Sequence, residues 1–289
     1  MSPDILFLIC PTPPYEDFIR WRNRAPMSYE TILFEKAGGV AKITLNRPET
    51  FNALSLDLGE ELFDAVTRCH SDAEVRAVVI TGTGKAFSAG GDIRSMAEAL
   101  KGDVSSVLRQ LAAVLANAMI SITRLPKPVV AAVNGTAAGA GLALVLASDM
   151  AIASEKAKFV VAFTGIALSP DSSTTFFLPR YVGLKKAMEL TLTNRPLSAQ
   201  EAADMGIINE VVAEGEFAAR VDSFAATLAQ GPTIAFGKAK QLLHRGLSER
   251  LETQVEDERH IVADCGLTAD FREAVNAFLE KRTPRFQGR

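Results

Sequence analysis

Two glycine-rich stretches carry residue types suited to holding a negatively charged oxygen. They are Lys85-Ala86-Phe87-Ser88-Ala89-Gly90-Gly91-Asp92-Ile93 and Asn134-Gly135-Thr136-Ala137-Ala138-Gly139-Ala140-Gly141. Each follows an apolar run that reads as a strand, 75–80 and 129–133, and each leads into a helix-like segment. Small residues at a strand-to-helix turn let a ligand approach the backbone. The first N–H groups of the helix have no partner within it and point at that ligand. Two such turns side by side would aim one N–H each at a single oxygen, which is an oxyanion hole. Taken alone, either stretch reads equally as a tight turn.

The elements around these turns alternate between strand and helix. Segments 30–35 and 40–45 flank Ala37-Gly38-Gly39 and predict a hairpin. Over 55–70 the apolar positions Leu58, Leu62, Ala65, Val66 and Cys69 make a helical stripe. Strand-then-helix passages begin at 75–81, 129–133 and 150–154, so a parallel sheet with right-handed crossovers is expected. Residues 104–124 predict one long amphipathic helix, ended by Leu125-Pro126-Lys127-Pro128. Beyond Pro196 the chain is mainly helical, with candidates at 199–205, 216–229, 233–244, 247–265 and 269–281.

Composition narrows the function. A chain of 289 residues with 48% apolar content supports a sizeable core. A net charge of −3 without a basic cluster argues against a nucleic-acid partner. Cys10, Cys69 and Cys265 are far apart and unpaired in spacing, as expected of reduced thiols in a cytoplasmic protein. His70, His244 and His260 suggest neither a metal cluster nor a Ser-His-Asp set. Residues 1–26 read as an extension without chemistry. Their apolar run Ile5–Cys10 is too short for a membrane span and lacks the basic start of a secretory signal.

The two glycine turns, with five further segments in order, resemble the enoyl-CoA hydratase/isomerase family, the crotonase superfamily. Ile43-Thr44-Leu45-Asn46-Arg47-Pro48 with Asn52-Ala53-Leu54 resembles the first strand and CoA-contacting loop. Leu146-Ala147-Ser148-Asp149, Gly165-Ile166-Ala167-Leu168-Ser169-Pro170-Asp171, Leu178-Pro179-Arg180-Tyr181-Val182-Gly183 and the closing Phe278-Leu279-Glu280-Lys281-Arg282 continue the pattern. The resemblance implies an α/β fold, a ClpP-like spiral of ββα turns with a helical C-terminal region, assembled as a homotrimer or hexamer. It implies a core with the CoA and active sites over 27–215 and a helical trimerisation region over 216–289.

Carried over residue by residue, the resemblance places the oxyanion donors at the backbones of Gly91 and Ala140. The two glutamates with which the family's hydratases add water fall on Ala143 and Phe163, neither of which can move a proton. What remains is Asp171, where several isomerase branches and the 4-chlorobenzoyl-CoA dehalogenases place an acid. From the residues alone, the run 170–174 before a helix is an N-cap signal, and the two roles can coexist. Apolar neighbours are expected at Phe163, Ile166, Leu168, Phe176 and Phe177. The histidine and tryptophan of the dehalogenases fall near Ala116 and on Phe163, which argues against dehalogenation. For CoA, the resemblance implies the carbonyl of Ala89 at the adenine, Thr50 and Phe51 along the pantetheine, and Arg94 near the phosphates. Phe278 and Lys281, from a neighbouring subunit, would close the adenine end. Glu49 stands where many members carry a lysine. Asp92 and Asp149 read as a helix cap and a structural hydrogen-bonder.

The expected function is therefore an acyl-CoA enoyl isomerase with Asp171 as the base and no metal or redox cofactor. The alternatives are a broad or weak enoyl-CoA hydratase and a CoA-ester-binding protein without catalysis.

Overall fold

The computed structural model describes residues 28–289; the expectations for 1–26, Cys10 included, lie outside them. Residues 31–289 form one compact unit, and the expected division at residue 215 falls inside it.

Six strands build the main sheet: β1 (Ile32–Ala37), β2 (Val40–Leu45), β3 (Ala77–Gly82), β5 (Val129–Val133), β7 (Met150–Ser154) and β10 (Glu210–Val212), in that order. Strands β1 and β2 are an antiparallel hairpin, and every later pairing is parallel. Gly38 and Gly39, at φ +58° and +81°, make its turn, a region that disfavours side chains. Strand β5 is buried on both faces, consistent with its unbroken Val-Val-Ala-Ala-Val run.

A second sheet holds the short strands β4 (Ala86–Ser88), β6 (Thr136–Ala138), β8 (Lys158–Val160) and β9 (Leu197–Ser198). The sequence pattern alone predicts strand followed by helix, whereas the structure interposes β4, β6 and β8. Each is only three residues long, too short for period-2 alternation to show. The repeating unit is thus a main-sheet strand, a second-sheet strand, then helical or irregular chain.

Helix α1 (Leu56–Ser71) starts at Ser55, whose hydroxyl accepts from Leu58 N at 3.3 Å, and buries the predicted Leu58-Leu62-Ala65-Val66-Cys69 stripe. Helix α2 (Ile93–Ala99) follows the first glycine turn. Helix α3 (Val104–Arg124) matches its predicted span, is capped by Asp103, and packs on α1. It is long and apolar enough to cross a membrane by composition, yet it also packs on α4 (Ala140–Ala147), all of whose residues are buried. Helices α5 (Thr174–Val182), α6 (Leu184–Thr193) and α7 (Ala199–Asp204) precede β10. Helix α8 (Phe217–Ala229) lays Val221 and Ala225 on Val79, Val130, Ala132, Ile152 and Val212 of the main sheet. Helices α9 (Thr233–Gly246), α10 (Leu251–Gly266) and α11 (Ala269–Leu279) complete the chain.

Candidate active site

Strands β4 and β6 are parallel neighbours, with Ala86 opposite Thr136 and Ser88 opposite Ala137. Their following turns therefore emerge side by side. Gly90, at φ +92°, lies so close to the second turn that a Cβ there would meet the carbonyl oxygen of Ala138 at 2.7 Å and the nitrogen of Ala140 at 3.3 Å. A Cβ on Gly141 would meet the carbonyl oxygen of Ser88 at 2.6 Å. Close backbone approach thus requires glycine on both turns. Ala140 is the first residue of α4, so its N–H has no partner inside the helix. Gly91 and Ala140 line one cavity of about 440 Å³.

Strand β6 also pairs with β8, Ala138 opposite Val160, which brings the chain after β8 to the same edge. There Ala162, at φ +65°, turns into a short 3₁₀ segment, Phe163–Ile166. Phe163, Ile166, Leu168, Ser169 and Asp171 line the cavity, and among the described residues Asp171 is the only carboxylate in its lining. Asp171 does not cap α5. The N-cap position is Ser173, and no side chain caps that helix; Asp171 contributes only its carbonyl, which accepts from Thr174 N at 2.9 Å. Its carboxylate Oδ1 accepts from the Ser172 hydroxyl at 2.8 Å. Burial pushes the Asp171 carboxyl up, against the opposing pull of that hydroxyl.

Phe176 and Phe177, expected as apolar neighbours of Asp171, do not line the cavity. They follow the turn into α5, whose pitch points them elsewhere. Phe177 is buried beside Tyr181 and His244, and Phe176 is exposed under the Arg180 guanidinium at 3.6 Å. Ala143 is fully buried in α4 and Ala116 is also outside the lining, which instead takes Leu108, Arg109, Leu111, Ala112 and Leu115 from α3, and Ile93 and Met96 from α2. The sequence suggests helix 104–124 as a wall of the acyl pocket without naming these residues, of which 108, 111, 112 and 115 have the spacing of one helix face.

Of the positions expected to hold CoA, Ala89 lines the cavity, and its N–H is bound to the carbonyl of Phe51 at 2.9 Å. Thr50 and the exposed Phe51 thus lie beside the first turn, and exposed Arg94 stands in the first turn of α2. Phe278 and Lys281, on exposed surface at the end of α11, are not brought to the cavity within one chain.

Two positioning groups complete the site. Arg47 pairs with the buried Asp92 at 2.9 Å and donates to the Ala53 carbonyl at 2.7 Å. Asp92 accepts from the N–H groups of Arg94 and Ser95 and so caps α2. Burial pushes the Asp92 carboxyl up, but Arg47 and these N–H groups outweigh it and hold it below the usual carboxylate range. Asp149, at the far end of α4, accepts from Val129 N and from Lys240 Nζ, both at 2.8 Å.

Residues 35–289 match the family model described as enoyl-CoA hydratase/isomerase. The chain belongs to the enoyl-CoA hydratase/isomerase family. Its fold is the crotonase fold, with a TM-score of 0.85 to the crystal structure of an enoyl-CoA hydratase from Bacillus anthracis, 35% identical over 90% of this chain and 100% of that one. Among curated relatives, a Rhodobacter capsulatus protein named "Probable enoyl-CoA hydratase" is 46% identical over 91% of this chain and all of its own. The 1,2-epoxyphenylacetyl-CoA isomerase of Escherichia coli is 37% identical over 90% of this chain and 99% of its own. The 4-chlorobenzoyl coenzyme A dehalogenase-2 of an Arthrobacter species is 40% identical over 86% and 91%. This family member is accordingly an enzyme of hydratase/isomerase type.

Proposed function

We propose that this enzyme is an acyl-CoA enoyl isomerase. The thioester oxygen lies between the N–H groups of Gly91 and Ala140, which stabilise the enolate. Asp171 takes a proton from one carbon and returns it to another. One carboxylate serves both steps because the proton stays with it. The observation that carries this reading is that, among the described residues, Asp171 alone of the acids lines the cavity of the two glycine turns and is not consumed as a helix cap. Its upward-shifted carboxyl is the stronger base once ionised. Such a proton shift calls for no metal or redox group. Thr50, Phe51, Ala89 and Arg94 hold the CoA, and Phe278 and Lys281 reach it from a neighbouring subunit of a trimer or hexamer in the cytoplasm.

A second reading is hydration, favoured by the name of the 46% identical Rhodobacter capsulatus relative. Against it stand Ala143 and Phe163 at the two hydratase positions. A panel of 2-enoyl- and 3-enoyl-CoA esters separates the two by product mass, since hydration adds water and isomerisation leaves the mass unchanged. Asp171→Asn, which cannot accept a proton at neutral pH, is expected to bind CoA esters and to lose isomerisation by about 10²–10⁴. A fully active Asn variant overturns the mechanism.

A further inference from the structure

The acyl cavity holds one charged group that the proton shift leaves unused. Its lining is apolar apart from Asp171, Ser169 and Arg109. Arg109 stands on α3 next to Leu108 and ahead of Leu111 and Leu115. Leu111 and Leu115 are 5% and 1% exposed, whereas Arg109 is exposed, so the aliphatic part of this wall is deep and the guanidinium is at its outer part.

An exposed arginine on a helix is ordinarily a solvated charge with its stem along apolar surface. Arg109 differs in two respects. It faces a cavity rather than open surface. Among the described residues it also has no acidic partner within ion-pair distance, and its hydrogen bond is a long one, from Nη2 to the Ser105 hydroxyl at 3.4 Å. A guanidinium has five N–H donors, most of which therefore remain open here. By contrast, Arg47 near the same cavity is held by Asp92 and by the Ala53 carbonyl. Asp171 and Arg109 form no ion pair with each other, so the acid is available to the reacting carbons and the guanidinium to something else in the cavity.

We infer that the acyl site takes CoA thioesters whose far end carries a carboxylate, and that Arg109 is the specificity-determining residue that binds this end. The inference rests on the acyl-CoA reading above, because it takes the thioester to lie at Gly91 and Ala140 and the acyl chain to run along α3. A guanidinium fork matches a carboxylate in a way that a methyl end cannot exploit. A methyl-ended chain in the same place would instead take water from the guanidinium and return nothing.

Saturated CoA esters test this without depending on turnover. Calorimetric titration of the full-length protein would compare hexanoyl- with adipoyl-CoA, octanoyl- with suberoyl-CoA, and free CoA. One of the two dicarboxylic esters is expected to bind about tenfold or more tightly than its methyl-ended partner, as one charge-assisted pair would give. Arg109→Gln is expected to abolish that ratio, and Arg109→Lys to keep part of it. Arg109 is exposed and its hydrogen bond, to the Ser105 hydroxyl, is an exposed one, so a circular dichroism spectrum like that of the wild type is expected for both variants. Equal or tighter binding of both methyl-ended esters by the wild type overturns the inference. So does an Arg109→Gln variant that weakens free CoA and all four esters by one factor, which assigns Arg109 to the CoA moiety. Failure of the wild type to bind any of the five compounds overturns the acyl-CoA reading itself, and the inference with it.

Discussion

Asp171 is placed in its cavity at the expense of its own ionisation. Its carboxyl is raised by burial, so the base form accumulates only above the ordinary carboxylate value of about 3.9. The kcat/KM profile for isomerisation is expected to rise with pH through a limb above that value. A limb at or below it would contradict the geometry. The sign for stability follows from the same shift. A raised folded value means that the charged form opposes folding once the pH exceeds the unfolded value. Asp171→Asn should therefore melt no lower than the wild type at pH 7, with the difference narrowing as pH falls toward the unfolded value. Asp92 carries the opposite sign. Its folded value is lowered, so its contribution is present above the unfolded value and is lost as pH falls through the folded one. Arg47→Ala leaves that buried carboxylate without its guanidinium and is expected to destabilise by about 3 kcal/mol at neutral pH, measured by urea unfolding. Part of the arrangement was legible in the sequence. Gly91, Ala140 and Asp171 were singled out there because small residues or an acid at fixed places suit the proposed chemistry, and the three line one cavity. Arg109 and Arg47 were not, because an arginine has the same appearance in a sequence whether it meets water, a cavity or a buried aspartate.

Between residues and fold stands the loop that joins β2 to α1. Asn52 is fully buried there. Its Oδ1 accepts from Arg47 N at 2.9 Å, and its Nδ2 donates to the carbonyls of Thr83 and Ala86, each at 2.9 Å. One side chain thus fastens the loop of Thr50 and Phe51 to the strand that carries the first glycine turn. Asn52→Ala strands these backbone groups and is expected to destabilise by about 2–4 kcal/mol, read by denaturant midpoint, and to weaken CoA binding. The segment before α5 carries another kind of strain. Ala162, Ala167, Ser172 and Ser173 all have positive φ, between 50° and 66°. Without glycine at these positions, nothing in the sequence announces the turns. Ala167 is exposed, so Ala167→Gly relieves the left-handed conformation without losing packing. A gain of about 0.5 kcal/mol is expected, the surplus of relieved strain over glycine's extra freedom when unfolded, checked by melting temperature. Long elements were legible because many residues agree on one period, as in α3. The second sheet was legible only through the resemblance, which implies ββα turns, and not from residue pattern, for its strands are two or three residues long.

At the scale of the molecule, the C-terminal helices expose what a folded chain usually covers. Helix α10 buries none of its sixteen residues and shows Leu251, Val255 and Val262, while α11 shows Phe271, Phe278 and Leu279. A helix stabilised by neither its own packing nor a partner is marginal in water, and contiguous apolar surface marks an interaction site. Light scattering at micromolar concentration is expected to give a trimer or hexamer, and Val262→Asp to shift it toward smaller species. A monomeric wild type contradicts this. Apolar spacing in a sequence states that a face must be covered, and not whether the cover is the same chain or another copy, so this part of the architecture is legible only in part.

The pair between Lys240 and Asp149 also has a history in time. The two residues are 91 positions apart. Asp149 follows the last turn of α4, the helix whose first residue is Ala140. A nascent chain that has made both glycine turns still lacks the amine that compensates this carboxylate, which burial alone would push toward its neutral form. The two glycine turns are thus synthesised early and braced late, after Lys240 has left the ribosome. Messages truncated between Asp171 and Lys240 should yield chains that contain every residue proposed for proton transfer and yet require chaperones to stay in solution.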